Sequence, residues 1–316
     1  MPTLVASSVR SQHYRFETLG EGVTAGVALP QGTALSNTGV VDLGGTTLVF
    51  DTSLTLGSAR EIRDTSISLT HRPPTLAVNS HWHLDHILGN QLFSDHPVYA
   101  TRRTIEILLE KRSELEADLR PAKLESDIRE LERQQNAART PAGRAPYEPV
   151  LRIHRTLLSE AAELRLTPPS SGFDVRLRLP GDLAASLLSF GSGHTESDAV
   201  LFLERPAILF AGDLVVAGNH PNLTSGDPQH WLEVLDELEK LRPDRIVPGH
   251  GPVGTLGTIH EVRDYLSTLL RLAEGPGEPE IPARFRGWAE PDQFTSNLAY
   301  VRSRAGRGEA PAHTTG

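Results

Sequence analysis

The stretch NSHWHLDHILGN, residues 79–90, sets three histidines and an aspartate within six positions: His81, His83, Asp85 and His86. The chain has 13 histidines in 316 residues, so chance would produce this HxHxDH pattern only about once in a thousand chains of this length. His81 and His83 are two residues apart, and in an extended segment both side chains fall on the same side, where they can share one ion. Asp85 and His86 come next as the chain turns into a helix, so they leave that row and are better placed to serve a second ion beside it. Three imidazoles and a carboxylate suit Zn, Fe, Mn or Ni.

The flanking text places this motif at a strand-to-helix junction. Residues 16–52 alternate short β-branched runs with turn signals (GVTAGVALP, NTGVVDLGG, TTLVFDT), which predicts a meander of strands. GSAREIRDTSISL, residues 57–69, reads as a helix, and TLAVNS, residues 75–80, as a short buried strand that delivers the motif at its C-terminal end. Between residues 101 and 166 the text is charged and helical: Ile105, Leu108, Leu109, Leu115 and Leu119 recur at helical spacing, as do Leu124, Ile128 and Leu131. TPAGRAPYEP, 140–149, interrupts, and a helix resumes over 150–164, so the reading is two or three helices inserted into a β-rich frame.

Strands return from residue 173 as FDVRLRLP, AASLLSF, AVLFLE and AILFAGD. A helix is predicted over 227–241 with Asp227 as N-cap and Pro228 in the first turn, then a strand over 244–251 and a helix over 258–273. The text after 275 reads as a Pro- and Gly-rich tail whose last ten residues are expected to be disordered. The expected architecture is two sheets facing each other with helices outside, in one domain with its core at about residues 16–275.

Composition narrows the chemistry. With no cysteine, thiolate ligands and disulfides are excluded, so a metal site must be built from His, Asp and Glu. A formal net charge of −9 argues against a general grip on nucleic acid or anionic lipid. No apolar run approaches the ~20 residues of a spanning helix, and the N-terminal text lacks the pattern of a secretory signal; the expectation is a cytoplasmic enzyme. Hydrophobic residues at 38% can supply a sizeable core.

A metal site anchored on 79–90 predicts further ligands at downstream strand ends, and three candidates fit: His194 in GSGHTESD, Asp213 in LFAGDLV and His250 in VPGHGPVG. Each stands beside glycine at the mouth of an apolar run, where the backbone is expected to turn sharply. Seven residues after Asp213, His220 is expected on a loop near the metals, where it contacts substrate or leaving group, with a satisfied loop histidine as the competing reading. Asn79, Ser80, Thr195 and Asp198 are candidates to bond the ligand histidines and fix their tautomers. Trp82 is read as a pocket floor or a packing residue, and Trp231 as core.

The order HxHxDH, GH, GD, GH, each after a strand and spanning residues 22–255, resembles the metallo-β-lactamase-fold superfamily. The resemblance implies an αββα sandwich of two mixed β-sheets, with metals in a cleft along one edge. It implies that His81, His83 and His194 bind a first metal, that Asp85, His86 and His250 bind a second, and that Asp213 bridges the two. All seven positions carry the residues of the dinuclear hydrolase branch, which includes glyoxalase II-like and lactonase-like members. The secreted zinc β-lactamases with a cysteine ligand do not fit, because the chain has none; the flavodiiron branch, with Glu at the second position, does not fit His83. The resemblance further implies two divalent ions, zinc before manganese or iron, and a bridging hydroxide oriented by Asp85. That hydroxide would attack an ester, thioester, lactone or amide-type bond of a small molecule.

Alternatives within the same fold are a mononuclear iron sulfur dioxygenase and a cytoplasmic protein with promiscuous β-lactamase activity. The substrate itself is not marked. Arg263, Arg271, Arg284 and Arg286 lie where a glutathione grip would be, with no identifying spacing, and no tyrosine occurs from 194 to 213 to suggest an acyl-homoserine lactonase. The inserted helices are read equally as a lid, a homodimer interface or a solvated face.

Overall fold

Alternation of β-branched residues with tight turns produces a meander: β1 (Tyr14–Gly20), β2 (Val23–Ala28), β3 (Thr38–Asp42) and β4 (Thr47–Phe50) pair antiparallel in sequence order. The computed structural model describes residues 11–306. After β4, β5 (Leu76–Val78), β6 (Val98–Thr101) and β7 (Ser171–Phe173) add to the same sheet in parallel, giving seven strands in chain order. The second sheet holds β8 (Arg176–Leu179), β9 (Ala185–Leu188), β10 (Val200–Leu203), β11 (Ile208–Val216) and β12 (Arg245–His250), antiparallel except for the parallel β11–β12 pair.

FDVRLRLP, expected as one strand, is parts of two strands in different sheets. Phe173 is buried between the sheets, Val175 is 68% exposed at the crossing, and Arg176 and Arg178 alternate outward from Leu177 and Leu179. The change of sheet therefore occupies only two residues.

Between the sheets, Val41, Leu48, Phe50 and Val78 meet Leu187, Leu201, Phe210 and Val247. Each such side chain contributes about 1.5–3 kcal/mol on burial. Strands β4 and β10 are buried on both faces because helices cover the outer surfaces. On the first sheet lies α1 (Leu56–Thr70), packing Ala59 and Ile62 against Val40, Val49 and Ala77. The motif itself forms the one-turn α2 (Leu84–Ile87).

The insertion is α3 (Arg102–Asp118), α4 (Pro121–Ala137), the short α5 (Pro141–Arg144) and α6 (Tyr147–Glu160), and it carries the chain from β6 to β7. Its apolar face is not free: Leu108, Leu115, Leu124 and Leu157 pack with Leu56, Ile87 and Leu88, beside the motif. Glu160 reaches back to accept from Leu56 N and Gly57 N at 2.8 Å each, capping the start of α1.

Outside the second sheet lie α7 (Pro228–Lys240), α8 (Leu256–Ala273) and α9 (Asp292–Gly306). The predicted cap of α7 is present: Asp227 accepts from Gln229 N and His230 N, and Pro228 occupies the first turn. The tail, read from sequence only as rich in Pro and Gly, holds α9, which packs Phe294, Leu298 and Val301 into the core of the second sheet. Their spacing of four and three residues is the sequence signal for it. The expected disorder of the last ten residues falls on 307–316, outside the described residues. Among the described residues no helix is long and apolar enough to cross a membrane.

Candidate metal centre

Both sheets send residues to one edge. From the first sheet, β5 ends at Val78, and the buried Asn79 and Ser80 lead directly to His81. His83 stands at the N-cap position of α2, and Asp85 and His86 lie within that helix. From the second sheet come His194 in the β9–β10 loop, Asp213 inside β11 and His250 at the end of β12. Asp213 is expected after a strand; β11 instead continues through it, with its register against β12 shifted on both sides of Gly212. Such irregularities re-aim a side chain. Gly212 has φ 52°, the sharp turn anticipated from sequence. Gly249 is needed for a different reason, since a Cβ there would collide with the Asp213 carboxylate.

The seven ligand candidates fall into two groups, His81, His83, His194 and Asp213, and Asp85, His86 and His250, with donor atoms within 4.8 Å of one another in each. Asp213 faces both groups: Oδ2 lies 3.4 Å from His194 Nε2 and 3.3 Å from His250 Nε2, and Oδ1 lies 3.2 Å from His86 Nε2. Asp85 Oδ2 is 3.3 Å from both His86 Nε2 and His250 Nε2. His81 Nε2, His86 Nε2 and Asp213 Oδ1 are buried without a hydrogen-bond partner. Polar atoms left so at the centre of a cluster cost free energy unless something binds them, and an all-nitrogen-and-oxygen donor set fits a divalent cation.

Electrostatics separate the two groups. Burial pushes His83 and His194 down to about 4, and lowers His81 as well, so these imidazoles are neutral. Burial opposes charge on His250 too, but Asp213 and Asp85 overrule it and hold it at about 10. His86 is likewise raised, against burial, by Asp85 and Asp51.

Outer partners orient most of the rings. Asp51, not singled out from the sequence, lies 2.7 Å from His86 Nδ1 and accepts from Ser80 N at 2.7 Å and Ser80 Oγ at 2.8 Å. Ser80 Oγ is in turn 2.9 Å from His81 Nδ1. Ser225 Oγ meets His83 Nε2 at 3.2 Å, and the Leu35 carbonyl meets His250 Nδ1 at 3.2 Å. Asn79 acts on backbone, donating to the His86 carbonyl at 2.9 Å. Thr195 and Asp198 bond each other and shape the loop carrying His194 rather than its ring.

His220 lines the cleft beside His83, Asp85, His194, Asp213 and His250. It is 2% exposed, its Nδ1 lies 3.1 Å from Tyr265 Oη, and its Nε2 has no partner. Trp82 packs toward the inserted helices and donates to Glu196, and Trp231 is core, donating to the Leu214 carbonyl. None of the residues lining the cleft comes from the insertion.

The sequence profile of the metallo-beta-lactamase superfamily matches residues 32–250. The chain belongs to this superfamily. Solved structures of similar fold include the DIM-1 metallo-beta-lactamase, at 18% identity and TM-score 0.58 over 81% of this chain and 98% of that one. A metallo-beta-lactamase from Pontibacter korlensis matches at 17% identity and TM-score 0.58 over 80% of this chain and 99% of its own. FIM-1 from Pseudomonas aeruginosa, in a mono-zinc form, matches at 16% identity and TM-score 0.56 over 81% and 96%. At these identities the likeness is one of fold. The superfamily match ends at His250, so α8, α9 and the segment between them lie beyond it.

Proposed function

We propose that the protein is a metal-dependent hydrolase of small molecules that works with two divalent ions, zinc before manganese or iron. The observation that carries this reading is the Asp213 carboxylate, set between two groups of ligands with an oxygen 3.2 Å from His86 and another 3.4 Å from His194. His81, His83 and His194 would hold one ion, Asp85, His86 and His250 the other, with Asp213 shared. When bound, such ions lower the pKa of water and polarise the bond under attack.

The chain's own residues supply the rest. Asp85, held ionised against burial by His86 and His250, orients the attacking water, and the leaving group takes a proton from Asp85 or from that water. His220, neutral because burial lowers its pKa, packs its ring among Tyr265, Trp288 and Phe294 with Nε2 buried, so it holds the loop that walls the cleft rather than reaching the substrate. Leu35, Val216 and Pro221 give the cleft an apolar side, and its volume of about 170 Å³ suits a small substrate. The bond class is an ester, thioester, lactone or amide.

The test is elemental mass spectrometry on protein purified without added metal or chelator, followed by a panel of such substrates. About two equivalents of zinc and hydrolysis abolished in both His81→Ala and Asp213→Ala are expected. A variant without metal that still hydrolyses would refute the reading, and a single equivalent of iron would favour oxygen-dependent sulfur chemistry.

A further inference from the structure

One residue lining the cleft, Glu290, comes from chain outside the superfamily match. Residues 217–220 and the segment at 289 bridge in parallel, with Ala289 N donating to Gly218 O at 2.9 Å and His220 N to Ala289 O at 3.1 Å. This fixes the next residue, Glu290, on the cleft beside Asp85, His220 and His250. Glu290 has φ 60°, a left-handed backbone that a non-glycine residue adopts at a cost. No described lysine or arginine pairs with its carboxylate, and none lines the cleft. Of the four arginines that the sequence offers for gripping an anionic substrate, Arg263, Arg284 and Arg286 are engaged with Asp236, Asp264 and Glu280, Arg271 meets Thr268, and none lines the cleft.

We propose that Glu290 is a specificity-determining residue that selects substrates carrying a cationic ammonium group. A carboxylate at the mouth of a cleft without lysine or arginine complements a positive group and disfavours a carboxylate-bearing substrate. Beside it, Leu35, 43% exposed, receives the apolar part of the same molecule. This assignment deepens the hydrolase reading and rests on it for the bond that is cleaved.

The experiment compares choline with 3,3-dimethylbutanol, which match in shape and differ in charge, by calorimetry on the metal-loaded protein. The native protein is expected to bind choline about five- to tenfold more tightly, between the strength of an exposed ion pair and a buried one. Glu290→Gln should bring the ratio to about one with metal content unchanged, and Glu290→Lys should place choline below the neutral alcohol. Equal binding of the two by the native protein, a preference that survives Glu290→Gln, or loss of metal in that variant overturns the proposal. Hydrolysis of the corresponding acetyl thioesters, with and without chelator, is the separate readout of the hydrolase reading. No hydrolysis with the choline preference intact counts against that reading and supports the role of Glu290.

Discussion

Asp51 shows how a centre is set by a residue outside its ligand set. Its carboxylate is fully buried, holds His86 directly and reaches His81 through Ser80. Asp51→Ala should therefore weaken metal binding by about 10–100-fold, read by competition with a chromophoric chelator, with circular dichroism unchanged. The pKa directions give a second expectation. A group held low stays neutral, and free to bind metal, until the pH falls to about 4, as for His83 and His194. A group held high is protonated below its pKa, as His250 is below about 10, so a metal must displace its proton. On the proposed two-ion reading, lowering the pH should thus release metal from Asp85, His86 and His250 first, and stoichiometry measured at stepwise lower pH should fall from two to one before reaching zero.

At the level of elements, α9 secures the loop that walls the cleft. Asn297, fully buried, donates to Pro221 O at 2.6 Å and Tyr265 Oη at 3.1 Å and accepts from Leu223 N at 3.0 Å. Tyr265 Oη also meets His220, so helix, loop and cleft share one network. Asn297→Ala leaves these buried groups unpaired and should cost about 1–3 kcal/mol, measured by urea denaturation, and KM should rise as the loop loosens. The apolar spacing of α9 is present in the sequence, hidden by the Pro- and Gly-rich text before it. Its partners are not, because Asn297 and Pro221 are 76 residues apart.

Across the whole molecule, the centre joins the two sheets. His81, His83, Asp85 and His86 come after the last residue of β5 in the first, and His194, Asp213 and His250 belong to the second. A ligand that binds only the folded state adds about 4 kcal/mol at a thousand times its Kd, so chelation should lower Tm by roughly 5–10 °C, seen by scanning calorimetry and reversed by zinc. Asn37 makes a protein-only link at the same edge, donating to Pro248 O and Gly251 O at 2.8 Å each. The inserted helices, for which lid, interface and solvated face are equal expectations from sequence, bury their apolar side against α1 and the motif.

The sequence by itself determined the candidate ligands, which the structure brings together, and the frame that carries them. Four candidate ligands lie within six residues, the others sit beside glycines, and strands and capped helices arise from local periodicity and turn chemistry. Only the tertiary structure decided that FDVRLRLP is divided between two sheets, that Asp51 orients two ligands, and that Glu290 reaches the cleft. Those relations depend on contacts between residues far apart in the chain, as in the hydrogen bond between Leu35 and His250, 215 positions apart, and no local pattern encodes which distant groups will meet.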